Sequence, residues 1–451
     1  MAVAAPQATT SYGATAKALL KLGLPVLVTQ LGAIAVGFAD TLMIGHYGTD
    51  ELAAAAFVNN LFMVPIVMQI TFAGGVTPLV GALFGRGDNF GVGRMLRLAL
   101  RLNILVSLAL VVIMACIYPF LDHMGQDPAL MRLVKPYYLL VLGSMAVGGV
   151  FYACQQTANG VNDTMTPMWI ILGANLMNIV GNWLLISGHY CFPEWGLMGA
   201  GTSTLLARVA AALVIFLFVT RSRRFRPYRE GFKSSQASAP GEAMRLFNTS
   251  WPVMLQGGIE CFLWAFGAVV CGWYGKYQLA AYQVVLTINQ LGYMTYLSIG
   301  TAVAVRVANF AGVSDKQQMK MAATAGMFLN IILGIVASCI FIFLSKYVIG
   351  VFTSDSVVMA AAGLLIFPLV LYQFGDAMQI TYCNALRGTS NVKPMAMISL
   401  ICYILAGVPA MLLLADVVGL ESRGVYFSFS VSVFLAAWLY LRSFRKTLAA
   451  I

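Results

Sequence analysis

Charged residues are scarce in this sequence. They make up 10% of its 451 residues, and 60% of the residues are hydrophobic. A soluble domain has about 25% charged residues. Apolar runs longer than the roughly 20 residues needed to cross a bilayer recur along the whole chain. This pattern excludes a soluble domain of any size and predicts a polytopic membrane protein with twelve helical spans.

Sequence motifs of enzymes and nucleotide-binding proteins are also missing. The chain has no His-Glu-x-x-His motif and no Gly-rich phosphate loop. Its three histidines, His46, His123 and His189, fall in predicted outer loops. The eight cysteines lie mostly within spans without metal-ligand spacing, so packing is their expected role. We therefore expect a protein that is not an enzyme, needs no cofactor and draws energy from a gradient or a partner.

The net charge of +11 follows the pattern of membrane topology. With both termini in the cytoplasm, 21 of the 27 Lys and Arg residues fall in inside segments, 5 fall outside, and Arg208 alone lies within a span. This bias obeys the positive-inside rule for an even number of spans, so nucleic acid is not an expected partner. Because Met1 to Tyr12 is small and polar and the first apolar run is too long, we expect no cleavable signal peptide.

The chain is a tandem duplication. A shift of 227 positions aligns the two halves, and one further residue is inserted before the end of the repeat. The matched features are Pro25 with Pro252, Gly45-x-Tyr47-Gly48 with Gly272-x-Tyr274-Gly275, Gly85 and Asp88 with Gly312 and Asp315, and Asn159-Gly160 with Arg387-Gly388. Such parallel repeats predict two six-helix bundles around a central cavity, related by a pseudo-two-fold axis along the membrane normal.

A run of five arginines between Arg221 and Arg229 is predicted to be the cytoplasmic connection between the repeats. Contact with anionic lipid is the alternative interpretation. The predicted organisation is a cytoplasmic segment at residues 1–15, a first lobe at 16–220, the connection at 221–245, a second lobe at 246–442 and a cytoplasmic tail at 443–451.

No acidic residue inside a span has an acidic counterpart at the aligned position of the other repeat. Thirteen of the 16 acidic residues fall in predicted loops, which leaves Asp40, Glu260 and Asp376 within the membrane. Burying a carboxylate at membrane depth costs roughly 2.5 to 3.5 kcal/mol on insertion scales, so such residues usually face an aqueous cavity and bind ions or protons. The alternative is a structural carboxylate that is hydrogen-bonded to a neighbouring helix or lies near the surface.

Neutral oxygen donors accompany these acids. Asn178 and Asn182 are four residues apart and share a helix face, Thr202 is on the next span, and Tyr372 precedes Asp376 by one turn. Carboxylate, amide and hydroxyl oxygens suit a hard cation, and a buried carboxylate can instead hold a proton. The sequence leaves Na⁺ and H⁺ both open, and intramembrane asparagines also serve as interhelical contacts.

Aromatic and methionine residues in the second copy provide a candidate wall for bulky cationic substrates. Packing or an interfacial belt is the alternative role. The two groupings are Phe262, Trp264, Trp273 and Tyr274, and Tyr293, Met294 and Tyr296. The candidate substrate-cavity residues are Gln30, Asn59, Gln283, Asn289 and Tyr293.

Together these features resemble the multidrug and toxic compound extrusion (MATE) family of antiporters, from about Leu19 to Leu441. The motifs that carry the resemblance are Pro25-x-x-x-x-Gln30 with Asp40, Gly45-x-Tyr47-Gly48, Pro78-x-x-Gly81-x-x-x-Gly85, Gln156-x-x-Asn159-Gly160, Pro252 with Glu260, and Asp376 followed by Arg387-Gly388. The resemblance implies export of amphipathic, often cationic drugs in exchange for Na⁺ or H⁺, by a monomer in the lipid of the bacterial inner membrane.

The resemblance also implies roles for particular residues. In NorM-like members a Glu, an Asp and a Tyr of the second lobe are implicated in cation binding, and they match Glu260, Asp376 and Tyr372. A first-lobe cation site of the family matches Asp40, Asn178, Asn182 and Thr202. The DinF-like branch typically has an Asp where Asn182 stands and lacks the second-copy acids, which places this chain with the NorM-like group.

A flippase for a lipid-linked precursor is the alternative function, because related families share this kind of scaffold. Such a cavity is expected to carry basic residues for a phosphate headgroup. Arg208 is the only basic residue within a predicted span, so the drug exporter is the favoured prediction.

Overall fold

The computed structural model describes residues 8–9, 11–190, 192–234 and 241–451, so Cys191 lies outside the described residues. Twelve helices are long and apolar enough to cross a membrane. They are α1 (Tyr12–Tyr47), α2 (Thr49–Gly85), α3 (Asn89–His123), α4 (Pro128–Gly160), α5 (Met165–Ile186), α6 (Gly196–Arg221), α7 (Glu242–Trp273), α8 (Lys276–Gly312), α9 (Lys316–Phe343), α10 (Ser356–Gly388), α11 (Lys393–Val417) and α12 (Ser422–Ala450). The predicted all-α fold of twelve spans is confirmed. Most helices extend beyond their apolar stretches, because polar residues continue the helix at either end.

The described residues form two compact units. One contains Val28–Ser250, and the other contains Trp251–Ile451 together with the described residues before Val28. The first part of α1 therefore belongs with the second repeat and the first part of α7 with the first repeat. Both division points lie near the prolines that the repeat aligns, Pro25 and Pro252, and proline allows a helix to bend by removing a backbone hydrogen bond. The lobe limits drawn from the sequence stay a prediction.

The turn between the second and third spans is the same in both repeats. Asp88 accepts a hydrogen bond from the Gly91 N–H at 2.7 Å and caps α3. Its counterpart Asp315 accepts from the Gln318 N–H at 3.0 Å and caps α9. An N-cap carboxylate satisfies a free N–H group and interacts favourably with the helix dipole. The aligned aspartates thus cap the equivalent helices of the two repeats.

A second repeated feature is the close crossing of two helices at a glycine. In the first unit, a Cβ on Gly160 would lie 2.7 Å from a Val80 methyl and 3.2 Å from the Thr77 carbonyl oxygen. In the second unit, a Cβ on Gly388 would lie 2.7 Å from the Ala304 carbonyl oxygen. Thr77 and Ala304 are themselves 227 positions apart. The duplication therefore preserves a helix crossing as well as a sequence motif.

This crossing predicts opposite effects for two Gly→Ala substitutions on α10. Gly388→Ala forces a backbone shift and should destabilise the protein by about 1–3 kcal/mol. Gly363→Ala is the matched control, because an added Cβ there meets nothing within 4 Å; it should stabilise the helix by about 0.5–1 kcal/mol. Thermal unfolding of the purified protein in detergent measures both. Equal melting temperatures for the two variants would contradict the crossing.

The helices of the second unit place α10 in its interior. The most extensive helix contacts of the second unit are those of α10 with α8 and with α12. Most residues in the apolar parts of α8 and α12 are buried. One continuous hydrophobic core joins these helices. Irregularity is concentrated in α11, which has π-helical turns at Leu400–Gly407 and Leu413–Val417. Such turns are frequent at functional sites.

Candidate cation-binding sites

The second unit brings two carboxyl groups together. Asp376 on α10 is fully buried, and the half-buried Glu260 on α7 is close enough for the two groups to repel each other when both are charged. Gln256, one turn before Glu260, donates from Nε2 to Glu260 Oε2 at 2.8 Å. The Tyr372 hydroxyl is the donor beside Asp376, and among the described residues it does not reach the geometry of a well-formed hydrogen bond. A buried acid with such weak hydrogen bonding is costly unless a proton or cation neutralises it.

Tyrosines from three helices surround this pair. Tyr372 lies one turn before Asp376 and beside it, and Tyr293 on α8 interacts with both carboxyl groups. Tyr403, in a π-helical turn of α11, also interacts with both; its buried hydroxyl has no hydrogen-bond partner in the part of the chain that is described. Tyr403 was not a sequence candidate, since a single tyrosine within an apolar span carries no distinguishing signal.

The predicted aromatic wall includes residues that pack beside this site. Trp264 on α7 meets the Tyr372 ring edge-on, with ring centroids 5.3 Å apart, and lies 4.4 Å from the Phe429 ring. These aromatic contacts fix the position of Tyr372 and add packing energy of about 0.5–1.5 kcal/mol per pair. For Trp264, packing is therefore an observed role. Phe262 and Trp273 remain largely exposed.

A polar network lies next to the carboxyl pair. Gln373, on the turn before Asp376, donates to Asn289 Oδ1 at 2.7 Å and accepts from the Tyr296 hydroxyl at 2.6 Å. Asn330 extends the network by donating to the Tyr296 carbonyl oxygen at 3.3 Å. All these side chains are buried, so they hold α8 and α10 in one arrangement. Asn289, a sequence candidate for the substrate cavity, lies within this network.

The first unit holds the second cluster. Asn182 Nδ2 on α5 donates to Asp40 Oδ1 on α1 at 2.5 Å. Asn178, with its amide oriented to satisfy both ends, donates to the same oxygen at 3.0 Å and accepts from the Thr204 hydroxyl at 3.1 Å. The predicted association of Asp40 with the two asparagines is thus present in the structure. Two amide donors on one carboxylate offset part of its burial cost.

The hydroxyl partners on α6 differ from the sequence candidate. Ser203 donates from Oγ to the Asn178 carbonyl oxygen at 2.8 Å, and Thr204 contacts the Asn178 side chain. The half-buried Thr202 makes no hydrogen bond to Asn178 among the described residues. Gly181 allows α5 and α6 to approach here, because a Cβ would lie 2.4 Å from Ser203 Oγ. Thr202, Ser203 and Thr204 are consecutive and all carry hydroxyl groups, and the sequence alone did not show which of them contacts Asn178.

The Asn182 amide leaves one oxygen available. Asn182 is fully buried, and its Oδ1 atom has no hydrogen-bond partner among the residues that the structure describes. With the Asp40 carboxylate it offers the oxygen ligands that a small hard cation requires. Clusters of three or more His, Cys, Asp or Glu side chains do not occur in the described part of the chain.

The remaining substrate-cavity candidates differ in how far their side chains are exposed. Gln30 on α1 is half-buried, whereas Asn59 on α2 and Gln283 on α8 are exposed. Tyr293 belongs to the tyrosines around Glu260 and Asp376. The role of these residues towards a substrate stays a prediction.

Two units of membrane-crossing helices built from parallel repeats, each with carboxyl and amide groups inside its spans, are an arrangement that many membrane transporters share. The MatE family profile matches residues 25–184 and again residues 252–412. The chain belongs to the MatE family. The two matches begin 227 positions apart and end 228 positions apart, which confirms the duplication and its one-residue insertion.

The chain is similar to curated multidrug resistance proteins over most of its length. It is 29% identical over 442 residues to a probable multidrug resistance protein NorM of Bradyrhizobium diazoefficiens, covering 94% of this chain and 92% of that protein. It is 25% identical over 400 residues to the multidrug resistance protein NorM of Photobacterium profundum, covering 88% of this chain and 87% of that one. The predicted resemblance to MATE proteins of the NorM type is confirmed.

Solved structures share the fold. A Vibrio cholerae MATE transporter, VcmN in its bent form, matches with a TM-score of 0.84 at 16% identity, covering 98% of this chain and 99% of that chain. A multidrug resistance MATE family transporter in an outward-facing conformation matches with a TM-score of 0.87 at 17% identity, covering 99% of each chain.

Proposed function

We propose that this protein is a secondary active multidrug exporter, which moves amphipathic, often cationic organic compounds out of the cell in exchange for Na⁺ or H⁺ by alternating access. The observation that carries the proposal is the pair formed by the half-buried Glu260 and the buried Asp376 in a chain of the MatE family. The NorM relatives, named as multidrug resistance proteins, support drugs as the transported class.

The carboxyl pair accounts for coupling in physical terms. Two like charges in a poorly solvated space cannot both persist, so the pair is stable when a proton or a cation is shared between them. A Na⁺ ion would be held by the carboxylates and by the hydroxyl of Tyr372. Each ligand can shift the equilibrium between inward-open and outward-open states only by its different affinity for the two. Cation and drug are therefore coupled if they favour opposite states.

We assign Asp40, Asn178 and Asn182 to a second cation site in the first unit, with Thr202 retained as a sequence candidate. Its single carboxylate and the free oxygen of Asn182 support this assignment. The bias of Lys and Arg towards alternate loops supports cytoplasmic termini in a bacterial inner membrane. We propose that the protein is a monomer without a bound cofactor and that it moves its substrate without changing it chemically.

Efflux from proteoliposomes tests the proposal. Purified wild-type protein should extrude an ethidium-like dye when a Na⁺ gradient or a proton gradient is imposed, and each gradient is applied alone. Glu260→Gln should lose at least tenfold of the gradient-driven rate, because a neutral amide holds a cation less tightly by more than about 1.4 kcal/mol. Dye fluorescence inside the vesicles reports the rate.

The matched control is Glu242→Gln at the start of the same helix, where the side chain pairs with Arg94 at 2.6 Å outside the carboxyl site. It should export at the wild-type rate. Dye movement that persists in Glu260→Gln would refute the coupling role. Wild-type protein that moves no dye under either gradient would instead favour the lipid-precursor flippase, which a fluorescent-lipid scrambling assay then tests.

A further inference from the structure

The α6 helix carries one charged side chain in the middle of its span. Arg208 lies twelve residues after Gly196 and thirteen before Arg221, the two ends of the helix. An arginine at membrane depth costs roughly 2.5 to 3.5 kcal/mol on insertion scales. The repeat places the apolar Leu435 or Ala436 opposite this position, so the shared scaffold does not require an arginine here.

Arg208 has a neutral hydrogen-bond partner. Its Nη1 atom donates to Ser144 Oγ on α4 at 2.9 Å, and Ser144 in turn donates to the Val141 carbonyl oxygen at 2.7 Å. The ion pairs formed within the described ranges join other residues. The guanidinium is thus oriented by a serine while its charge is not neutralised by a direct carboxylate contact.

Arg208 lies close enough to the Asp40 cluster for its charge to act on Asp40. Thr204 is one turn before Arg208 on the same face of α6, and it is hydrogen-bonded to Asn178, which donates to Asp40. Arg208 and Asp40 attract each other electrostatically, and Tyr137 on α4 interacts with both. The order from one end of the cluster to the other is therefore carboxylate, amide, hydroxyl and guanidinium.

We propose that Arg208 is a resident counter-cation for Asp40. Its positive charge stabilises the carboxylate after the coupling cation has left, and it lowers the affinity of the occupied site so that the cation is released. This inference rests on the proposed function, since it takes Asp40 as a cation site. Arg208 is a positioning residue: it acts on the cation through the charge of Asp40.

The two units then bind cations differently. Glu260 and Asp376 repel each other and thereby favour a cation between them, whereas Asp40 is already attracted to Arg208. The first-unit site is expected to bind its cation more weakly and to release it sooner. Removing Arg208 should make that site tighter and slower to empty, so that export turnover falls although binding improves.

Direct binding measurements test the proposal on the full-length protein in detergent. A background with both Glu260→Gln and Asp376→Asn removes the second-unit carboxyls and isolates the first-unit site, and cation binding is followed in two arms, with radioactive Na⁺ and by proton uptake with a pH indicator. In Arg208→Gln, the concentration of the bound cation needed for half-saturation should fall about three- to tenfold, as expected for losing one partly screened unit charge. Arg208→Lys, which keeps the charge, should stay near the parent value.

Two controls keep the outcome interpretable. Arg101→Gln removes an exposed arginine of α3 and should leave binding unchanged. Asp40→Asn with Arg208→Gln should show no gain over Asp40→Asn alone, because the charge then has no carboxylate to act on. If Arg208→Gln does not fold, Ser144→Ala tests the same role, because it removes the hydrogen bond that orients the guanidinium and should change cation affinity in a manner that depends on Asp40.

The possible failures are distinct. If Asp40-dependent binding is present but Arg208→Gln does not tighten it, the counter-cation role is wrong while the proposed function stands. If neither Na⁺ nor H⁺ binds in an Asp40-dependent manner, the first-unit cation site itself is wrong, and the role of Arg208 is overturned with it.

Discussion

Asp376→Asn is expected to abolish gradient-driven export and, in the same protein, to preserve or raise thermal stability. The carboxyl group of Asp376 is fully buried and faces the like charge of Glu260. Replacing it with a neutral amide of the same shape removes this repulsion and the cost of a buried charge. It also removes a charge–cation attraction of about 4 kcal/mol at contact distance in a partly polarisable site, which is on the order of a thousandfold in cation affinity.

Export and stability are measured on the same preparation. Dye efflux from proteoliposomes under each gradient gives the transport rate, and thermal unfolding in detergent gives stability. Added Na⁺ should raise the melting temperature of wild type by linkage if Na⁺ is the coupling ion. The increase should shrink in Asp376→Asn.

Asp355→Asn is the matched control on the same helix. Asp355 is exposed at the start of α10, where it caps the helix by accepting from the Val357 N–H at 2.8 Å. Asparagine is an equally good N-cap, so this variant should match wild type in both assays. If Asp376→Asn exports normally while Glu260→Gln does not, coupling depends on Glu260 alone and the paired mechanism is wrong.

The sequence predicted the fold well because the chain is duplicated. Repeated features such as Asp88 with Asp315 can be recognised by comparing the chain with itself, and the structure shows each pair in the same N-capping role. Span number followed from apolar length. That the first parts of α1 and α7 each belong to the other unit was not predictable, because it depends on helix packing that sequence spacing does not encode.

The candidate sites were predicted in part. Carboxylates within apolar spans stand out in a sequence by their cost, which is why Asp40, Glu260 and Asp376 were found. Hydroxyl groups at membrane depth carry little cost when they bond to their own helix, so Thr202 could not be distinguished from Ser203 and Thr204. The contribution of a partner such as Tyr403 depends on helix packing that sequence spacing does not encode.

The loop before the fifth span of each repeat contacts the chain near the C-terminal end of the sixth span. In the first unit, Asp163 forms an ion pair with Arg224, Oδ2 to Nε at 3.2 Å. In the second unit, Asn391, the counterpart of Asp163 in the repeat, donates to Thr447 Oγ1 at 2.9 Å. The loop residue of the contact is thus equivalent in the two repeats, but its charge and its partner differ. Asp163 was classed from sequence with the loop acids, although its side chain is fully buried.

Part of the basic connection therefore docks on the first unit. The stretch Arg223–Tyr228 forms a 3₁₀ turn, and the short helix Arg229–Lys233 follows it. Phe225 and Tyr228 are buried in the core of this unit. Gly93 on α3 permits the approach, because a Cβ there would overlap the Tyr228 carbonyl oxygen. The predicted connection therefore packs against the first unit where Phe225 and Tyr228 are buried, and the Arg224 side chain contacts Asp163.

Asp163→Ala is expected to cause the largest loss of stability outside the carboxyl sites. Asp163 also accepts hydrogen bonds from the Thr166 N–H at 3.2 Å and the Thr166 hydroxyl at 2.8 Å, in the first turn of α5. Removing all these contacts should cost about 2–4 kcal/mol. That range is below the full penalty for breaking a buried pair, because Arg224 is 38% exposed and can regain water. Thermal unfolding in detergent measures the loss.

Two further variants separate the charge from the hydrogen bonds. Asp163→Asn keeps an oxygen for Thr166 but loses the charge, so it should fall between Asp163→Ala and wild type. Asp122→Asn breaks the exposed pair with Lys135, which spans 2.7 Å, and should change stability by less than about 1 kcal/mol. If Asp163→Ala unfolds no earlier than Asp122→Asn, the ion pair is incidental and the connection is held by Phe225 and Tyr228. If it unfolds earlier, the first repeat depends on a charge at a position where the second repeat has the amide of Asn391.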